Sequence, residues 1–167
     1  MRTFLIGTIL AGAAAFVATS CATSPEVEAR YRASEDRIAA IFGQAAETPE
    51  LGPAERCLGE LEIRNFRPLD DRYILFEGQR GKQWINQLHM RCFDLEYAQA
   101  LRVRSFSMMR MCEFDSFMPG DWFDWPWYRR WPWHWGGWPT GSTCTLGKFH
   151  PVSEEHVLAI EAAIRSR

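Results

Sequence analysis

The stretch "RYILFEGQRGKQWINQLHM" (residues 72–90) decides the fold. Its first part, "RYILFEG" (72–78), is rich in β-formers. "GQRG" (78–81) then sets a glycine at each end of a short turn, where the backbone needs unusual dihedrals. "KQWINQLHM" (82–90) alternates and puts Trp84, Leu88 and Met90 on one face. Two strands around a short turn predict a β-hairpin, so the chain is organised by a sheet.

Further short strands lie on either side. "LEIRNFRPL" (61–69) reads as a strand ended by Pro68 and the pair Asp70–Asp71. "CFDLEYAQA" (92–100) reads as a helical turn, and "LRVRSFSMM" (101–109) sets Leu101 and Val103 against Arg102 and Arg104. "RMCEFDSFM" (110–118) is a further strand, stopped by Pro119–Gly120, and "TCTLGKF" (143–149) is the last. A helix follows. Ser153 is its N-cap, Glu154 and Glu155 fill the first turn, and Val152 and Val157 are spaced as a hydrophobic staple. Val157, Ile160 and Ile164 form its apolar stripe, and Arg165 and Arg167 close its positive end.

The expected fold is mainly β (α+β). It is a small twisted antiparallel sheet or partly open barrel of five to six strands with a C-terminal helix, plus an N-terminal helical tether. One sheet face needs cover, and the C-terminal helix is the obvious candidate. A ferredoxin-like layout is disfavoured, because only one strong helix lies inside the domain.

The chain's start sets the compartment. "MRTFLIGTILAGAAAFVATSCATS" carries Arg2, then an uncharged apolar run from Phe4 to Val17, then small residues. That order is a secretory signal, and the run is too short for a bilayer span of about 20 apolar residues. "VATS" before Cys21 resembles a bacterial lipobox, with Ala18 where Leu is usual, so Cys21 is the expected lipidation site. Ordinary cleavage after Ser20 or Ala22, giving a soluble periplasmic or secreted protein, is the alternative. Ala22 rather than Asp after the cysteine favours the periplasmic side of the outer membrane, by resemblance to sorted lipoproteins. The expected organisation is a signal peptide at 1–20, a tether at 21–56 and a disulfide-bonded β-rich domain at 57–167. Within the tether, 25–42 has the spacing of a short amphipathic helix, docked or tether-like, and 43–53 is a linker.

Beyond Cys21 there remain Cys57, Cys92, Cys112 and Cys144. An even number in an oxidising compartment implies two disulfides, with three pairings open. Cys112 with Cys144 is the expected pair, because that bond would close the segment between them into a loop, and Cys57 with Cys92 follows by elimination. A four-cysteine zinc site is disfavoured, because no close CxxC pair is present.

That segment, "GDWFDWPWYRRWPWHWGGWPTGS" (120–142), holds seven of the eight tryptophans, so it dominates any aromatic surface. Trp122, Trp125, Trp127, Trp131, Trp133, Trp135 and Trp138 surround Arg129 and Arg130. Tryptophan suits membrane interfaces and arginine suits anionic headgroups, so membrane contact is one reading. A platform for an envelope glycan or protein is the second, and tryptophans folded back onto the sheet or paired between molecules are the third.

Taken together, "C…EIRNFRPLDDRYILFEGQRGKQWINQLHMRCFDLEYAQALRVRS…MCEFD…CTLGKF" resembles a family of small proteobacterial exported proteins, often lipoproteins, classed as a domain of unknown function. The motifs behind the resemblance are Asp70–Asp71, Cys92 to Leu95, Cys112 to Asp115, and Cys144, over about residues 57–165. The Trp-rich stretch looks like an insertion in that pattern. The resemblance implies a fold and a location, and carries no catalytic residues.

Catalytic signatures are missing from the sequence. His89, His134, His150 and His156 have no HExxH or HxH spacing, and there is no GxSxG, P-loop or GxGxxG. No metal or other cofactor is expected. With 19 Lys+Arg against 21 Asp+Glu, a nucleic-acid partner is disfavoured. The expectation is a non-catalytic envelope lipoprotein domain with a structural or binding role. The alternative is a periplasmic hydrolase or glycan-binding module with an Asp/His site, which would need Asp71, His89 or Asp115 gathered in one pocket. Asp70–Asp71, Asp94 and Asp115 otherwise read as local turn caps.

Overall fold

The computed structural model describes residues 24–104, 109–120 and 143–167. Helix α1 (Pro25–Glu47) starts at Ser24, whose hydroxyl accepts from the Val27 N–H at 3.3 Å, with Pro25 in the first turn. It outruns the expected 25–42, because "GQAAE" is mostly helix-forming and Gly43 lies on its open side. It stops at Thr48, which precedes Pro49 and is extended. Ser34, Ile38, Phe42 and Ala45 make its buried stripe, so α1 is docked on the folded body. The core therefore draws on residues well before Cys57.

Nine strands follow among the described residues, all pairing antiparallel in three sheets that do not close into a barrel. β1 (Cys57–Gly59) pairs β6 (Arg110–Cys112). β2 (Ile63–Pro68), β3 (Tyr73–Gly78), β4 (Gln83–Gln87) and β9 (Phe149–Val152) form the central sheet in that order. β5 (Ala100–Arg104), β7 (Ser116–Gly120) and β8 (Cys144–Thr145) form the third. Helix α2 (Glu154–Arg165) closes the chain, capped by Ser153.

The expected hairpin is β3–β4, with Tyr73 opposite Gln87 and Phe76 opposite Trp84. Its positive φ angles fall on Arg80 and Gly81. Gly78 is required for closeness instead: a Cβ there would come within 2.5 Å of the Trp84 ring.

The central sheet is covered on both faces, not one. Tyr73, Leu75, Ile85 and Val152 pack under α1 and α2 with Ile38, Phe42, Val157 and Ile160. Ile74, Phe76, Trp84 and Phe149 pack on the other side with Leu58, Phe117 and Leu146. This explains the unbroken run Tyr73–Phe76, since a strand buried on both faces has no polar alternation.

Two expected strands each break in two. Residues 110–118 divide into β6 and β7 at Phe114, which has φ 74°. Asp115 holds that turn, its carboxylate accepting from the Cys112 N–H at 2.8 Å. Residues 143–149 divide into β8 and β9 at Gly147, whose backbone lies against the Gln87 carbonyl. The side chain of Asn86, fully buried, donates to the Gly147 carbonyl at 2.8 Å and accepts from its N–H at 2.9 Å.

Candidate functional site

The disulfides set the frame. Cys57 bonds to Cys112, directly opposite it in the β1–β6 register, and Cys92 bonds to Cys144. This corrects the expected pairs Cys112–Cys144 and Cys57–Cys92. The physical reason lies in the ladder. Phe117 on β7 pairs with Cys144 on β8, so backbone hydrogen bonding already joins the two ends of the Trp-rich segment. Cys112 is spent on holding β6 to β1.

The chain leaves β7 at Gly120 and re-enters the sheet at Cys144, so segment 121–142 joins two neighbouring strands. Its return point is cross-linked to Cys92, which is buried in the core. Trp122, Trp125, Trp127, Arg129, Arg130, Trp131, Trp133, Trp135 and Trp138 lie outside the described residues, as do Cys21 and His134.

A charge cluster joins α1, the β2–β3 turn and the end of α2. Asp70 accepts from the Arg72 and Tyr73 N–H groups at 2.8 and 2.9 Å, which shapes the turn. Its other oxygen takes the Arg167 guanidinium. Arg167 also donates to Glu35, and Arg72 reaches Glu35 at 2.8 Å. The Tyr73 hydroxyl donates to Glu35 at 3.1 Å. Burial and then the Glu35 carboxylate push the Tyr73 phenol up, so it stays protonated. With both oxygens occupied, Glu35 is a clamp between α1, β3 and the C-terminal residue.

Beside this clamp is an open cleft of about 810 Å³, lined in part by Tyr31, Asp71, Arg91 and the exposed Phe93. The Tyr31 ring lies against the guanidiniums of Arg91 and Arg167 at 4.0 and 4.3 Å. Burial, then the neighbouring Asp70, hold the Asp71 carboxyl above its usual range, while Arg91 at 3.7 Å opposes this.

Asp71, His89 and Asp115 do not converge. Asp71 lines the cleft, while His89 stacks on Phe114 at 4.7 Å and faces Glu113 at 3.8 Å. Asp115 is buried in its turn, and Asp94 stands at the N-terminus of a 3-10 turn over Leu95–Tyr97. His150 is stacked on Phe42 at 4.0 Å, and burial with Lys148 nearby lowers its pKa. His156 caps the Ser153 end of α2. Among the described residues no three His, Cys, Asp or Glu side chains cluster so as to hold a metal ion, and no helix is long and apolar enough to cross a membrane.

Sequence reading missed the Glu35–Arg72–Arg167 clamp. The run Asp70–Asp71–Arg72 marked the turn as charged, but nothing local ties residue 35 to residue 167.

A disulfide-framed antiparallel α+β domain with a docked N-terminal helix is thus the class of molecule. The chain belongs to a family of unknown function (DUF6491), whose model matches residues 1–121. That span takes in α1 and three of the four bonded cysteines and ends where the Trp-rich segment begins. No curated protein and no solved structure matches the chain.

Proposed function

We propose that the chain is an exported envelope domain, anchored by lipid on Cys21 on the periplasmic side of the outer membrane. Its role is binding rather than catalysis, and the Trp-rich segment is its contact with the membrane interface. The family is read here as one of small exported proteobacterial proteins, often lipoproteins. Two disulfides support an oxidising compartment. The observation that carries the binding reading is the base of the segment. Its ends sit on adjacent strands, one of them cross-linked to the core, as suits a recognition loop on a rigid scaffold.

The test uses the chain from Ala22 onward, which keeps every described residue, and a variant lacking 121–139. Removing 121–139 leaves Trp84 as the only tryptophan, which is 3% exposed and bonded to Glu55 at 3.0 Å. Tryptophan emission is recorded with and without anionic liposomes. A blue shift that vanishes with the deletion supports the proposal. No shift in the complete chain overturns membrane contact and redirects the search to a glycan or protein.

A further inference from the structure

We infer that the end of the domain where α1 begins is a docking surface for a lipid bilayer, and that it sets which face the domain turns to the membrane. The inference rests on the lipid-anchor reading of Cys21 and goes beyond it by assigning a contact within the described residues. Val27 and Phe93 are exposed, and both line the open cleft beside the Glu35 clamp, with Tyr31, Leu69 and Ile164. Val27 and Tyr31 come from the first two turns of α1, Leu69 follows β2, and Phe93 stands on the loop after β4.

Phe93 is held out on a fixed loop. Cys92 and Leu95 around it are buried, Cys92 is bonded to Cys144, and the Cys92 N–H donates to the Asp71 carbonyl at 2.7 Å. A fixed loop that presents a phenyl ring beside an exposed valine leaves apolar area to be covered. Chain length names the cover. Ser24, the N-cap of α1, is three residues past Cys21, so an acylated Cys21 stays within about 11 Å of it. Val27 is three residues further on, so the anchor holds this cleft at the bilayer surface. The base of the Trp-rich segment lies at the same end: Gly120 accepts from the Gln99 N–H at 3.0 Å, and Cys144 is bonded to Cys92. Headgroup charge is not what the surface selects. Around the cleft Asp70 faces Arg167, Asp71 faces Arg91, Glu28 faces Arg32 and Arg165 faces Glu161. The contact is therefore burial of apolar side chains in the interface.

The test uses the oxidised chain from Ala22 onward, which keeps every described residue, with a hexahistidine tag ahead of Ala22. It is tethered to phosphatidylcholine vesicles that contain a nickel-chelating lipid, so the result does not depend on acylation. Phe93 is replaced by an amino acid that carries the environment-sensitive prodan fluorophore. In the control the same amino acid replaces Leu61, which is as exposed as Phe93, at 73% against 75%. Leu61 lies beside the β3–β4 turn, at the other end of β3 from the cleft. On tethering, emission should shift to the blue and be quenched by brominated lipid at position 93 and not at 61. The shift should be the same with phosphatidylglycerol added and should persist when 121–139 is deleted. It should be lost in Val27→Glu, a change at an exposed position that leaves the core intact. No shift at 93, equal shifts at 93 and 61, a shift that requires phosphatidylglycerol, or one that disappears with 121–139 would each overturn the surface. Failure of the anchor reads differently: a native chain whose mass shows no acyl group on Cys21 refutes the anchor and leaves the surface to the tethered result.

Discussion

Replacing Asn86 by Ala removes a side chain that holds the bend between β8 and β9. Asn86 is 0% exposed, and its amide completes both the N–H and the carbonyl of Gly147 at 2.9 and 2.8 Å. Truncation leaves two backbone groups buried without those partners. Each costs about 1–3 kcal/mol, so the expected loss is about 3 kcal/mol. A domain of this kind is stable by roughly 5–15 kcal/mol, so the variant still folds. With both disulfides intact, urea unfolding followed by far-UV circular dichroism should show the midpoint lowered by roughly 1–2 M. Asn86→Asp should lose more, because a carboxylate oxygen would then face the Gly147 carbonyl and a charge would be buried. Gly147→Ala tests the same contact from the other side, since its Cβ would lie 1.8 Å from the Gln87 oxygen and neither backbone can yield. An Asn86→Ala midpoint equal to the parent, or Asn86→Asp more stable than Asn86→Ala, would refute the reasoning.

Other outcomes follow from the same contacts. Proteolysis without reduction, read by mass spectrometry, should yield linked peptides for Cys57–Cys112 and Cys92–Cys144. Losing either bond, which spans 55 or 52 residues, should cost about 4 kcal/mol by chain entropy. Glu35→Gln should cost about 2 kcal/mol in thermal unfolding, less than a fully buried pair, because its partners retain 15–29% side-chain exposure. His150 has its pKa lowered by burial and then by Lys148, so the unfolded chain takes up the proton first. Stability should therefore be unaffected by this group above pH 6.5 and fall as pH drops from there through the lower folded value. His150→Asn should flatten that slope when denaturation midpoints are compared across pH.

What was legible in the sequence was local. The β3–β4 hairpin, the Ser153-capped helix and the antiparallel α+β class follow from alternation, turn residues and caps within a few positions of one another. The split at Gly147 was hidden, because its cause is contact with another strand, Asn86 reaching across to Gly147. The split at Phe114 is local: Asp115 folds back on the Cys112 N–H three residues away, as a turn cap does, but alternation alone ran the strand through it. The amphipathic stripe of α1 was visible, yet whether it was docked depended on a sheet face far along the chain.

The sequence by itself determined the element types, the presence of four pairable cysteines and the concentration of tryptophan at 120–142. Only the tertiary structure decided which cysteines meet, that the central sheet is buried on both faces, that Glu35 and Arg167 clamp the helices, and that a cleft opens beside the start of α1. The physical reason is range. Helix periodicity and turn chemistry act between near neighbours, whereas pairing across 50 to 130 residues is set by strand register and the joint packing of both cores.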